Sequence, residues 1–175
     1  MNDLLEKAKK VKCLISDVDG VMTNGILYID NHGNELKGFQ VLDGMGLKLL
    51  MAAGIEVAVI TTSQNAVIDH RMQQLGIQHY YKGQVNKESA FQQLKEKLNL
   101  ENEQFAYVGD DLPDGPIMRQ VGLSVAVANA VKEIKEFAHY QTKQQGGCGA
   151  VREVCDLILA SQNKLDLALT KYLAS

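Results

Sequence analysis

Short apolar runs that end abruptly alternate along this chain with stretches carrying apolar residues at three- and four-residue spacing, and few folds accommodate that alternation. The runs fall at 11–16 (VKCLIS), 56–61 (EVAVIT), 105–108 (FAYV) and 123–127 (LSVAV), with a weaker one at 77–81 (IQHYY). Each reads as a buried strand of a parallel sheet. The helical patterns lie between them at 43–53, 65–75, 87–98 and 113–121. This order predicts an α/β fold: a Rossmann-like, doubly wound parallel sheet covered on both faces, with ligands held beyond the carboxyl ends of its strands. One segment departs from the pattern, because 25–39 reads GILYIDNHGNELKGF, two β-favouring stretches around Asn31-His32-Gly33-Asn34. It predicts a β-hairpin serving as a flap or an oligomer contact. Pro113 and Pro116 are expected to stiffen a loop and open a helix. With 175 residues, 46% of them hydrophobic, the expectation is one domain over 1–175 with a sizeable core.

Composition excludes several classes of function. Net charge is −3 with the two signs interspersed, so no basic block suits a nucleic-acid backbone. No apolar run approaches the roughly 18 residues that span a bilayer, and the N-terminus MNDLLEKAKKVK is charged and helical rather than signal-like. A cytoplasmic location without nucleic-acid or membrane partners is expected. Cys13, Cys148 and Cys155 lack metal-ligand spacing and form no disulfide framework. Cys155 belongs to the apolar face of a terminal helix beginning near Val151, and Cys148 to a glycine-rich tail where exposure is expected.

Chemistry concentrates at the strand ends. Asp17-Val18-Asp19-Gly20 follows the first run. Two carboxylates there can divide attack and proton transfer, or cap a turn and a helix. Gly109-Asp110-Asp111-Leu112-Pro113-Asp114 follows the third. Three carboxylates so close repel one another unless a cation or hydrogen-bond donors intervene, and a divalent ion such as Mg²⁺ suits two Asp-bearing loops. Asp111 or Asp114 is alternatively a helix cap. Thr61 ends the run EVAVIT, where its hydroxyl can bind an anion or cap a helix, a role also open to Thr62 or Ser63. Lys87 opens a helix, a place that disfavours a cation unless phosphate or carboxylate pairs with it.

Taken in order, strand-DxD, strand-Thr, Lys at a helix start and strand-GDDxxD resemble the haloacid dehalogenase superfamily of phosphotransferases, from about Lys12 to Val127. The resemblance implies Asp17 as nucleophile, Asp19 as general acid and base, Lys87 as the stabilising lysine and Thr61 as the phosphate-binding hydroxyl. It further implies Asp17, Asp19 and Asp110 as ligands of Mg²⁺, Asp111 and Asp114 as flanking acids, and Thr62 and Gly44, with Thr61 and Lys87, as phosphate or substrate contacts.

The segments DVDGVMTNG, FQVLDGMGLKLL, LGIQHYYKGQVNKESAF, YVGDDLPDGPIM and GGCGAVREVCDLIL resemble, more narrowly, the 3-deoxy-D-manno-octulosonate 8-phosphate phosphatases of lipopolysaccharide sugar synthesis. That implies Mg²⁺-dependent hydrolysis of a small sugar phosphate through an aspartyl phosphate. It also implies no cap domain, and a homotetramer in which the hairpin and the tail GGCGAVRE (146–153) complete neighbouring sites. The chain has Leu42, Thr62-Ser63 and Cys148 where members usually carry basic residues. The alternatives are the same chemistry on a nine-carbon or uncharged sugar phosphate, and a non-catalytic module on the same scaffold. A receiver-type signalling domain is disfavoured, since receivers place Thr and Lys after all their acidic residues.

Overall fold

The computed structural model describes residues 2–173. In chain order the elements are α1 (Asn2–Lys10), β1 (Cys13–Ser16), β2 (Tyr28–Ile29), β3 (Glu35–Leu36), α2 (Val41–Ala52), β4 (Glu56–Ile60), α3 (Ala66–Leu75), β5 (His79–Tyr81), α4 (Lys87–Leu98), β6 (Phe105–Gly109), α5 (Gly115–Met118), β7 (Leu123–Ala126), α6 (Lys132–Lys135), β8 (Tyr140–Gln141), α7 (Ala150–Ser161) and α8 (Leu165–Leu173). Six strands form one parallel sheet in the order β5-β4-β1-β6-β7-β8. β2 and β3 form a separate antiparallel hairpin. Among the described residues no helix is long and apolar enough to cross a membrane.

The central place of β1 follows from its composition. All four of its residues are buried, as a strand flanked on both edges and covered on both faces requires. α1 and α2 pack against α7, while α4 packs against α5. Between layer and sheet, Phe91 and Phe105 meet edge to face at 5.2 Å and 81°, within the geometry that aromatic quadrupoles favour. Cys13 and Cys155 are buried and Cys148 is exposed.

Three features differ from the sequence-based expectation. The pattern at 113–121 folds as a 3-10 turn, Leu112–Asp114, followed by a single helical turn, α5, because Pro116 supplies no amide hydrogen and Gly115 sits between two prolines. α3 starts at Ala66 with Asn65 as its cap, the Asn65 side chain accepting from the Val67 amide at 2.9 Å, so neither Thr62 nor Ser63 fills that place. β8, two residues long, and α6 and α8 carry too little periodic pattern to stand out in the sequence.

Candidate active site

Register places the acidic motifs side by side. Ser16 pairs with Val59 on one flank and with Val108 on the other, so Asp17, Thr61 and Asp110 all emerge just beyond the carboxyl edge of three adjacent strands. The Asp17 amide still donates to the Val108 carbonyl at 3.1 Å, fixing where the nucleophile candidate leaves the sheet. The chain then turns at Gly20, whose φ of +92° favours glycine. A Cβ there would lie 2.0 Å from Asp110 Oδ2, so this glycine lets the two acidic loops meet.

Lys87 organises the cluster. Its side chain is 2% exposed, and its Nζ lies 2.8 Å from Asp17 Oδ1 and 2.7 Å from Asp114 Oδ1. Burial pushes its pKa down, but Asp17 and Asp114 more than offset this and hold it above the ordinary lysine value. Two carboxylates thus explain a lysine at the first residue of α4, against the positive helix end.

The four acidic residues beyond Asp17 separate by their partners. Asp114 is 1% exposed. Its Oδ1 accepts from Lys87 and from the Tyr107 hydroxyl, each at 2.7 Å, and its Oδ2 accepts from the amides of Asp110 and Asp111 at 2.9 and 3.3 Å. A carboxylate offers about four acceptor positions, and all are used. Asp111 is exposed and caps the following turn through the Leu112 amide at 2.7 Å. Asp110 behaves oppositely, because its buried Oδ1 has no hydrogen-bond partner. Asp19 belongs to a different group: its Oδ1 meets Lys37 Nζ at 2.5 Å, and Lys37 also meets Glu35 Oε1 at 2.6 Å.

Asp17, Asp110 and Asp114 each bring an oxygen within 4.8 Å of the others. Burial first, and the neighbouring carboxylates next, push Asp17 up to about 7 and Asp110 up to about 8, with Lys87 opposing. One lysine against three carboxylates leaves a surplus of negative charge. Together with the orphaned Asp110 oxygen, that surplus fits a hard dication with oxygen ligands. Asp17 and Asp110 are the residues free to hold it. The side chain of Asp19, a residue expected among the ligands, lies against Lys37, where a buried ammonium on the hairpin demands a carboxylate.

The remaining candidates are dispersed. Thr61 is 1% exposed, and its hydroxyl accepts from the Ser63 amide at 3.2 Å, closing a small loop at the strand end. Thr62 is exposed. Gly44, expected at phosphate or substrate, is buried in α2, where an added Cβ would come within 2.4 Å of Arg71 Nη2 and 3.0 Å of Leu75. Its smallness serves packing of α2 on α3. Leu42 and Cys148 line a cavity of about 600 Å³ with Lys143 and Arg152, and Arg152 Nε is tied to Asp156 at 2.9 Å. Another of about 440 Å³ lies between α1, Gly54 and Lys164. Neither is lined by the acidic cluster.

Lys37 and Tyr107 were missed from the sequence. Lys37 follows Glu35 at a spacing of two on a strand, which places both on one face. Tyr107 puts a hydroxyl inside an otherwise apolar strand next to GDDxxD, and a buried hydroxyl needs a partner. The glycine-rich tail also has a place that composition did not give. A Cβ on Gly146 would overlap the Gly20 carbonyl oxygen at 1.7 Å, and the Gly147 amide donates to the Val21 carbonyl at 2.9 Å. The tail therefore braces the acidic loop of its own chain.

Comparison with known proteins gives a consistent result. The family model of haloacid dehalogenase-like hydrolases matches residues 60–154. The 3-deoxy-D-manno-octulosonate 8-phosphate phosphatase KdsC of Escherichia coli (strain K12) is 51% identical over 166 residues, covering 95% of this chain and 88% of that protein. A solved structure from Legionella pneumophila, described as a HAD superfamily (subfamily III A) hydrolase, is 68% identical with a TM-score of 0.97, covering 100% of this chain and 96% of that one. The 3-deoxy-D-manno-octulosonate 8-phosphate phosphatase of Moraxella catarrhalis, solved with magnesium, phosphate and 3-deoxy-D-manno-octulosonate (KDO), is 41% identical with a TM-score of 0.95, covering 98% of this chain and 99% of that one.

Proposed function

Because this chain belongs to the 3-deoxy-D-manno-octulosonate 8-phosphate phosphatase family of haloacid dehalogenase-like hydrolases, we propose that it hydrolyses 3-deoxy-D-manno-octulosonate 8-phosphate to the free sugar acid and phosphate, with Mg²⁺ as cofactor. The observation that carries the reading is the buried triad of Asp17, Lys87 and Asp114 beside an Asp110 oxygen with no partner.

Asp17 attacks phosphorus, forming an aspartyl phosphate as the bond from phosphorus to the sugar oxygen breaks. Lys87, 2.8 Å from the attacking carboxylate, orients it and offsets phosphate charge. Asp19 gives its proton to the departing sugar oxygen and then takes one from the water that cleaves the acyl phosphate, so one residue serves both half-reactions. Asp114 holds Lys87 and the loop amides in place. Asp17 and Asp110 would hold Mg²⁺, which would supply charge neutralisation at the phosphate. Thr61 and the amides of its loop are assigned to the phosphate.

A homotetramer with the hairpin at neighbouring sites is part of the same reading. Ile26, Leu27, Ile29 and Leu36 are 55–65% exposed, an apolar display that a two-stranded hairpin cannot stabilise alone. Release of phosphate from the eight-carbon substrate, set against nine-carbon and uncharged sugar phosphates, tests the function. The expected result is Mg²⁺-dependent turnover that prefers the eight-carbon acid and is lost in Asp17→Asn; equal rates on uncharged sugar phosphates would sink the substrate assignment.

A further inference from the structure

The Asp19 carboxylate stands apart from the Asp17–Lys87–Asp114 cluster and is held from the other side by the hairpin. Lys37, just past β3, has a side chain only 2% exposed although it leaves an otherwise exposed element. Its ammonium lies between Asp19 at 2.5 Å and Glu35 at 2.6 Å. Asp19, Lys37 and Glu35 thus form a polar chain that joins the acidic loop to the hairpin.

A buried lysine is costly unless its charge is met, and nothing in a two-residue strand requires one. A solvated hairpin would leave it outside. Its cost is met by the carboxylate that the proposed reaction uses for proton transfer, and misplacing such a group by about 1 Å is enough to lose orders of magnitude in rate. Glu35 shares the ammonium, so Asp19 receives a directional contact without sole possession of the charge.

We infer that Lys37 is a positioning residue for this reaction: from the hairpin it fixes the Asp19 carboxylate in the orientation that delivers a proton to the leaving oxygen. The inference rests on the assignment of Asp19 as the general acid. It makes the hairpin part of the catalytic apparatus of its own chain, in addition to any contact it makes with another copy.

The test exploits leaving-group chemistry. A sugar alkoxide must be protonated as it departs, whereas para-nitrophenoxide leaves without help. Lys37→Met is expected to lower kcat on the sugar phosphate at least about tenfold, with KM within about twofold, and to cost less than about threefold on para-nitrophenyl phosphate. Lys37→Arg is expected to restore most of the loss. Thermal melting establishes that each variant is folded, and should Lys37→Met not fold, the same split is read on Lys37→Gln. Equal losses on both esters, a rise in KM alone, or no loss overturn the inference. Asp19→Asn serves as reference: if it shows the split and Lys37→Met does not, only the role of Lys37 fails. If Asp19→Asn itself shows no split, the acid assignment fails and the inference with it, while Asp17 stands on its own variant.

Discussion

Asp114 and Asp110 lie four residues apart and face opposite demands. Asp114 has a donor for every acceptor position, whereas Asp110 keeps a buried oxygen that nothing in the chain satisfies. Removing the cation that Asp114 and Asp17 share should therefore be expensive: Lys87→Met leaves two buried carboxylates without a countercharge, and a loss of about 3–5 kcal/mol in chemical denaturation is expected. Asp17→Asn removes a charge that burial already disfavours, so the fold should survive with an unchanged or raised melting temperature. Its phosphate release should still fall by at least about a thousandfold, as for other lost nucleophiles. The acidic residues and Lys87 were legible in the sequence because their types and order are unusual together. Lys37 was not, since a lysine near a hairpin turn looks like any solvated lysine until its neighbour across the loop is known.

Strands β1, β4, β6 and β7 could be read to within a residue or two, because buried parallel strands are continuous apolar runs. The hairpin was legible from its turn residues, but its inward lysine was not. Single-turn α5 and two-residue β8 are set by prolines and by tertiary contact rather than by periodicity. Two elements have testable roles. Ile29→Asp places a charge in the middle of the exposed apolar hairpin, and if the proposed homotetramer forms through it, light scattering after gel filtration should show a smaller species than the unsubstituted chain gives. Gly146→Ala drives a methyl group into the Gly20 carbonyl. A loss of about 1–3 kcal/mol is expected from such overpacking. Because Gly20 adjoins both Asp19 and Asp110, kcat should fall as well.

At the scale of the whole molecule, the site and the stability of the fold are coupled through charge. Asp17 and Asp110 titrate near 7 and 8 in the folded chain against an ordinary 3.8. Without metal, the folded state therefore holds protons that the unfolded state has lost, and stability should decrease as pH rises from about 4 to about 8. Magnesium binds the ionised carboxylates and reverses this. The rise in melting temperature on adding Mg²⁺ should be larger at pH 8 than at pH 6, and chelation should abolish it; a larger increment at pH 6 would contradict the assignment of Asp17 and Asp110 as ligands. The strand order has a further consequence, which concerns time. β1 leaves the ribosome before both of its neighbours, β4 and β6, which are encoded far downstream of it. At about 5–20 residues per second, its apolar edges wait several seconds for partners, during which a chaperone or a neighbouring nascent chain competes for them. Asp17 therefore reaches its final surroundings only once β6 and the Asp110 loop have emerged, and a translation product that stops before β6 carries Asp17 without that loop beside it.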